Sequence, residues 1–338
     1  MIAGIFLLLA ASMPGQPSQQ TVPDAKTHSM PIAPAENASL NRRDAGIAVP
    51  FEYFKQHIYI KVNVDGRSGL LFMLDSGANQ NILNLRTACL LGLHPENIER
   101  ERNVGPAAGR ISVGRMKTVR AAINSTEIAN DMTVMDLTLF ERRFGHETDG
   151  MLGSPFLRRF VVELDFPKKV LILFPAEHYR YRGPGETVRL IKKSASIVIP
   201  VVLKGSAHDS HSAEMEVDTG SNATLSLYRH CVHPLHLEQS ILQSRLGLEY
   251  GVNGDISNTQ GAIDSLGIGD AETYHLPVDY FEPAEEVHPK CEVAGSIGNG
   301  VLQTFQTVIF DVSHDRMIFE VNRQPVQLGA IRNDTLGR

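Results

Sequence analysis

The chain has 338 residues, 42% of them hydrophobic, and its 32 basic and 38 acidic side chains give a formal net charge of -6. A chain of this length can bury two compact cores, and its charges are scattered rather than grouped, so the composition argues against a nucleic-acid partner. Its three cysteines, Cys89, Cys231 and Cys291, are too few for a disulfide scaffold and too widely spaced for a CxxC metal or redox motif.

The N-terminal end has the pattern of an export signal. Residues 1–12 form an apolar run that ends in Ala10, Ala11 and Ser12, the small residues that a signal peptidase reads. We therefore expect a periplasmic or secreted protein, although the signal is atypical because no Lys or Arg precedes the apolar core. The alternative is an uncleaved anchor, but this run is shorter than the ~20 residues that a membrane helix needs, and no other segment could span.

The segments at the two ends have low apolar periodicity. Residues 13–48 are rich in Pro, Ala, Gln, Ser and Asn, and such a composition cannot repay the entropy cost of ordering. We predict a flexible leader over 13–48 and a polar tail over 324–338.

Strand patterns open the first half of the chain. Residues 57–64 alternate towards a turn at Asp65 and Gly66, and residues 70–74 lead into the tetrapeptide Asp75-Ser76-Gly77-Ala78. A helix is predicted over 81–91. The apolar-apolar-Gly element Met151-Leu152-Gly153 follows, and a β-hairpin over 161–174 closes the half.

The same features recur in the same order in the second half. Residues 197–203 and 213–217 have strand patterns, and the second of them leads into Asp218-Thr219-Gly220-Ser221. A helix is predicted over 223–237, then come Ser296-Ile297-Gly298 and a hairpin over 308–321. The repeat predicts an all-β protein of two homologous lobes, 49–183 and 184–323, with a cleft between them.

The two aspartates are the candidate catalytic residues. An Asp-Ser/Thr-Gly tripeptide alone indicates only a turn, but here both copies end an apolar strand at the same place within a repeat. Two facing carboxylates that share one proton can act as an acid and a base together, because repulsion prevents both from ionising. The pattern therefore predicts hydrolysis by a water bound between Asp75 and Asp218.

The residues next to each aspartate suit this role. Gly77 and Gly220 allow the backbone to approach closely where a Cβ would obstruct it. The hydroxyls of Ser76 and Thr219 can form hydrogen bonds to the opposite loop and so fix the two carboxylates relative to each other.

These motifs resemble those of the aspartic peptidases of pepsin and retropepsin type. The likeness extends over about residues 50–322, and the length of each half is closer to the duplicated retropepsin-like domains of bacterial secreted proteins. The resemblance implies the acid-protease barrel fold and a catalytic dyad of Asp75 and Asp218. It also implies supporting loop residues and a structural layer beneath the dyad: Ser76, Gly77, Ala78, Thr219, Gly220 and Ser221 in the loops, and Leu152, Gly153, Ile297 and Gly298 beneath them.

Two departures from the pepsin-like pattern are visible in the sequence. The segment 103–109, at the place of the substrate-covering hairpin, is rich in Gly and Ala and has no Tyr or Trp. Ala78 follows the first motif, whereas Ser221 follows the second, so a hydroxyl can stabilise an ionised outer oxygen on one side only. We hypothesise that Asp218 is the more acidic partner.

Other polar groups receive a less specific interpretation. His230, His233 and His236 are spaced for a metal site, but Pro234 would interrupt the helix that must align them, so no metal or cofactor is expected. Whether Cys231 pairs with Cys291 stays open. If it does, Cys89 is free and is predicted to be buried.

The sequence thus predicts an aspartic endopeptidase that acts on peptide or protein substrates. One chain supplies both aspartates, so a monomer with intramolecular lobe pairing suffices. A second interpretation is a catalytically idle peptide-binding protein of the same fold, suggested by the small covering segment. A third is a homodimer in which equivalent lobes of two chains pair.

Overall fold

The structure is a computed structural model, and it describes residues 46–102, 111–193, 196–205, 209–235, 237, 245–251, 254–281 and 292–321. The predicted signal sequence, the polar tail, the covering segment 103–109, His236 and Cys291 lie outside the described residues. So does the predicted leader up to residue 45, and the first strand begins at Ile47, inside the last part of that leader.

Strands dominate the described residues. The strands up to residue 175 are β1 Ile47–Pro50, β2 Glu52–Phe54, β3 His57–Val64, β4 Arg67–Leu74, β5 Ile82–Asn84, β6 Glu96–Arg102, β7 Ile111–Met116, β8 Ala121–Ile123, β9 Thr126–Ala129, β10 Met132–Met135, β11 Gly150–Leu152, β12 Phe160–Asp165 and β13 Val170–Pro175. The later strands are β14 Glu186–Arg189, β15 Ile191–Lys193, β16 Ser196–Lys204, β17 Ser210–Val217, β18 Leu225–Tyr228, β19 Arg245–Gly251, β20 Gly254–Ile268, β21 Ala271–Phe281, β22 Gly295–Ile297, β23 Phe305–Asp311 and β24 Arg316–Val321. The helices are α1 Leu85–Leu90, α2 Thr138–Phe144, α3 Ser154–Arg159, α4 Arg229–Val232 and α5 Asn299–Leu302.

The strands form three sheets. A ten-stranded sheet from the first half has the order β6-β7-β10-β5-β11-β4-β3-β8-β9, with β2 beside β3. An eight-stranded sheet from the second half has the order β15-β16-β17-β22-β18-β21-β20-β19. A six-stranded sheet, β1-β13-β12-β23-β24-β14, combines the predicted terminal hairpins of both halves, and β12 pairs with β23. The mostly β architecture predicted from the sequence is confirmed.

The two predicted helices after the Asp motifs are shorter than expected. Residues 82–84 and 225–228 are strands, and the described helical residues of these segments are α1, α4 and a short 3-10 turn at His233–Leu235. Each of these strands lies between two partners, because β5 pairs with β10 and β11 while β18 pairs with β21 and β22. Ladder hydrogen bonds to neighbouring strands therefore override the local helical pattern.

In the strands that lead to the two aspartates, alternate side chains face opposite sides of the sheet. Phe72 and Leu74 of β4 lie in the largest apolar core, as do Met215 and Val217 of β17. The intervening residues face the other side of their sheets. In the first half this second side is apolar, since Met73 packs in a separate cluster with aromatic residues that include Tyr59, Phe140 and Phe144.

The cysteines differ in state. Cys231 is disulfide-bonded, whereas Cys89 is a free thiol. The prediction that Cys89 is buried is wrong, because it lies exposed near the end of α1, next to the exposed Leu90. None of the helices within the described ranges is long and apolar enough to cross a membrane.

Candidate active site

Each Asp motif begins where a strand meets a short parallel neighbour. Leu74 at the end of β4 lies opposite Leu152 of β11, and the backbone N–H of Asp75 donates to the carbonyl of Leu152 at 2.9 Å. In the second half, the N–H of Asp218 donates to the carbonyl of Ile297 at 2.9 Å. The same two-strand arrangement therefore positions both aspartates.

The glycines that end Met151-Leu152-Gly153 and Ser296-Ile297-Gly298 lie directly against the Asp loops. A Cβ on Gly153 would lie 2.2 Å from the carbonyl oxygen of Gln80, and one on Gly298 would lie 2.2 Å from that of Ala223. Glycine is thus required here for close approach. The following residue completes each contact, because the N–H groups of Ser154 and Asn299 donate to the carbonyls of residues 78 and 221.

Four hydrogen bonds join the two Asp loops reciprocally. The N–H of Ser76 donates to Thr219 Oγ1 at 2.9 Å, and the N–H of Thr219 donates to Ser76 Oγ at 2.8 Å. Each hydroxyl then donates to a carbonyl of the opposite strand, Ser76 Oγ to Val217 at 2.7 Å and Thr219 Oγ1 to Leu74 at 3.0 Å. All four bonds are buried and fix one loop against the other.

The two carboxyl groups are brought close together. A Cβ on Gly77, the residue between Ser76 and Ala78, would lie 2.7 Å from Asp218 Oδ1. Asp75 Oδ1 accepts from the N–H of Ala78 at 3.0 Å, and Asp218 Oδ1 accepts from the N–H of Gly220 at 2.8 Å. Asp75 Oδ2 is buried and has no hydrogen-bond partner among the described residues. One oxygen of Asp75 is therefore free to contact a reacting group.

The surroundings favour a protonated Asp75. Burial, followed by the negative charge of Asp218, raises the pKa of Asp75 well above its ordinary value, and the N–H groups of Ala78 and Gly77 offset only part of this. Ser221, which the sequence assigns to the ionised side, accepts a hydrogen bond at its Oγ from the N–H of Ala223 at 3.2 Å.

A third carboxyl group, which the sequence reasoning missed, lies beside the pair. Glu216 is two residues before Asp218 and only 2% exposed. Burial and then the charge of Asp218 raise its pKa to about 8, while a hydrogen bond from the Ser196 hydroxyl lowers it. The signal was present in the sequence, because Glu216 is a charged residue at a position where strand β4 has Met73.

A buried histidine also contacts the second Asp loop. His57, at the start of β3, is fully buried, and its Nε2 donates to the carbonyl of Gly220 at 3.0 Å. Burial is the main reason that its pKa falls to about 3, so the imidazole is neutral. The sequence pattern gave no sign of this role, because a histidine at a strand start is unremarkable until its partner is known.

The histidines that were weighed as a metal site, and rejected on the sequence, lie partly within the described residues. His230 lies in α4 and His233 starts the short 3-10 turn that follows it. Within the ranges that the structure describes, no group of three or more His, Cys, Asp or Glu side chains is placed to hold a metal ion.

Comparisons with known proteins found similarity to aspartic proteases. Residues 60–156 match the family described as aspartyl protease. The crystal structure of the aspartic proteinase from Irpex lacteus matches with a TM-score of 0.50 at 12% identity, and the match covers 82% of this chain and 98% of that one. At this identity the similarity shows the fold. No curated protein matches the chain.

The family match over residues 60–156 and the fold similarity both support a likeness to aspartic peptidases. The resemblance stated from the sequence motifs is confirmed at this level, and so is the acid-protease fold. The matched segment contains Asp75 and the element ending at Gly153. The findings support a peptidase role in general terms.

Proposed function

We propose that the chain is an aspartic endopeptidase in which Asp75 and Asp218 activate one water molecule to hydrolyse a peptide bond. The observation that carries the proposal is the set of four reciprocal hydrogen bonds through Ser76 and Thr219. They hold two carboxyl groups from different halves of the chain next to each other at a buried site, which a pair of unrelated turns would not require.

The proton positions follow from the environments of the two groups. Asp75, whose pKa is raised, holds the proton, and Asp218 acts as the carboxylate base. Asp218 takes a proton from water as the water oxygen attacks the carbonyl carbon, and Asp75 gives its proton to the carbonyl oxygen. The proton on Asp218 then passes to the amide nitrogen as the C–N bond breaks, and Asp75 takes back a proton from one of the two hydroxyl groups on the same carbon, which gives the carboxylic acid and the amine. This is the chemistry of a dyad that shares one proton.

The decisive experiment is cleavage of an unfolded protein between pH 3 and 7 by wild type, Asp75→Asn and Asp218→Asn. Each substitution preserves the size of the side chain but removes the exchangeable acid, so we expect each to abolish cleavage. A statine-type transition-state mimic should inhibit wild type. Cleavage that survives in both variants would refute the dyad. Peptide binding without cleavage at any pH would support the idle peptide-binding alternative.

We further propose that the protein acts as an exported monomer. The disulfide at Cys231 fits an oxidising compartment, and the four cross-loop bonds occur within one chain. Mass determination of the mature protein recovered from cell fractions would test export and cleavage of the leader. Sedimentation at assay concentration would test the monomer, since a homodimer would have twice the mass of the chain.

A further inference from the structure

A group of buried polar side chains lies next to Asp218, two residues earlier along β17, on the same side of the second-half sheet. Ser296 of β22 lies directly opposite Glu216 on one side and Ser226 on the other. Residues directly opposite one another in a ladder share a face, so these three side chains form one row. Asp279 of β21 lies opposite Ser226 and extends the row.

The first-half sheet has apolar residues at the corresponding places. Met151 of β11 lies opposite both Met73 and Ile82, with the same register relative to Asp75. These three side chains are buried in the cluster that contains Tyr59 and the aromatic residues of α2. The two sides of the active site therefore differ in chemistry, with methionine and isoleucine beside Asp75 and glutamate and serine beside Asp218.

The polar row has hydrogen-bonding capacity that the protein does not use. Glu216, Ser226 and Ser296 are at most 2% exposed, yet Glu216 Oε1, Ser226 Oγ and Ser296 Oγ have no hydrogen-bond partner within the described part of the chain. Burying polar oxygens without partners costs stability, and the first half shows that apolar residues fit this place in the fold. A ligand with several hydrogen-bond donors would satisfy these three oxygens.

The row lies on the same side of the sheet as the Asp218 side chain. Asp75 and Asp218 are themselves at most 1% exposed, so burial does not separate the row from the groups that must contact substrate. Met215 and Val217 pack in the core, so the side chains of Glu216 and Asp218 both lie on the opposite side of β17.

We propose that Glu216, Ser226 and Ser296 form a subsite that binds a lysine or arginine side chain of the peptide substrate next to the scissile bond. This inference rests on the proposed peptidase function and names its substrate class. A lysine ammonium group has three N–H donors and no acceptor, which suits three acceptor oxygens in one row. Within the described residues Glu216 has no ion-pair partner, and its protonated carboxyl group would release the proton when a basic side chain binds beside it.

The pKa of Glu216 is consistent with this assignment. Burial and the charge of Asp218 raise it to about 8, and a bound cation would lower it and favour the ionised form. The subsite beside Asp75 would instead accept an apolar side chain, because Met73 and Met151 are there.

The test compares matched peptides that carry lysine or norleucine at each of the two positions flanking the scissile bond. Norleucine keeps the length of the lysine stem and lacks the ammonium group. For wild type we expect kcat/KM to favour lysine by roughly tenfold or more at one position, because a site built to bind a polar group discriminates strongly against an apolar analogue. Glu216→Met, which installs the residue found at position 73, should remove or reverse this preference.

A matched control removes a negative charge from the same strand and the same side. Glu214 of β17 forms an ion pair with Lys193 at 2.6 Å and lies two residues further from the dyad, so Glu214→Gln should leave the lysine preference unchanged. If Glu216→Met lowers kcat/KM equally for the lysine and norleucine peptides, Glu216 acts on the dyad or the fold, and the subsite assignment fails.

Binding separates this proposal from the peptidase proposal. Calorimetry with Asp75→Asn should show that the lysine peptide binds more tightly than the norleucine peptide. Adding Glu216→Met should abolish that difference in affinity. If wild type cleaves neither peptide but this binding preference is present, the subsite stands and the peptidase function falls. Equal binding of both peptides overturns the subsite, whatever the cleavage result.

Discussion

Thr219→Val is the sharpest test of how the two halves of the active site are held together. Valine keeps the branched shape of threonine and removes only the hydroxyl, so no large cavity forms. The fully buried Thr219 Oγ1 accepts from the N–H of Ser76 at 2.9 Å and donates to the carbonyl of Leu74 at 3.0 Å, and both partners lose this bond. At about 1–3 kcal/mol for each buried group left unpaired, the expected loss of stability is roughly 2–6 kcal/mol.

Thr304→Val is the matched control. Its hydroxyl makes one local hydrogen bond, to the carbonyl of Val301 at 2.7 Å, and it is only partly buried. We expect it to cost about 0.5–1.5 kcal/mol, the usual net contribution of one hydrogen bond. Urea unfolding followed by far-ultraviolet circular dichroism measures both variants, since the chain has no tryptophan to report by fluorescence.

Activity gives a second readout of the same substitution. Loss of the cross-loop bonds should let Asp218 shift relative to Asp75, and displacements near 1 Å can cost ~100-fold in rate. We therefore expect kcat to fall far more in Thr219→Val than in the Thr304 variant. Equal unfolding midpoints and equal kcat values in the two variants would refute the idea that these hydrogen bonds join the halves of the site.

Three further substitutions test neighbouring parts of the site. Gly77→Ala should reduce kcat ~100-fold, because the new methyl group would lie 2.7 Å from a carboxylate oxygen of the opposite loop. In the control Gly267→Ala the methyl group meets nothing closer than 3.5 Å, so kcat should stay within about twofold of wild type. Equal kcat values in the two variants would contradict this. His57→Phe should lower kcat about tenfold, because it leaves the Gly220 carbonyl without its hydrogen bond. The decrease should be the same at pH 4 and pH 7, because the imidazole has a pKa of about 3 and stays neutral over this range. A decrease that depends on pH would argue for a protonated histidine. Glu216 keeps its proton in the folded state up to about pH 8 but loses it near pH 4.5 when unfolded, so the folded state loses stability as pH rises through this window. Glu216→Gln should therefore lose less stability than wild type between pH 5 and 7.5 in urea unfolding, by up to a few kcal/mol, and an identical loss would exclude the raised pKa.

The architecture was predictable because the sequence contains an internal repeat. The order of strand, Asp motif, tripeptide ending in glycine and hairpin recurs, and the alternation in strands such as 57–64 and 197–203 indicates β-structure directly. The helices were overestimated, because residues 82–84 and 225–228 are strands only by virtue of partners that are distant in sequence. Local pattern cannot report a ladder that forms with residue 151 or residue 296.

The site was only partly predictable for a related reason. The Asp motifs are contiguous, so their residue types and spacing indicate the chemistry. His57 reaches Gly220 across 163 positions of sequence, and no local pattern encodes such a contact. Glu216 was visible as an acidic residue in an apolar strand, but its significance depends on Ser226 and Ser296, which only the strand register places beside it.

In the proposed enzyme, one chain supplies both carboxyl groups of a single catalytic site. Mixing Asp75→Asn with Asp218→Asn in equal amounts and measuring cleavage of an unfolded protein tests it directly. If both aspartates of a site come from the same chain, every molecule in the mixture has a defective site and the mixture stays as inactive as either variant alone. Recovery of a substantial fraction of wild-type cleavage would show that two chains share a site, and would refute a dyad formed within one chain.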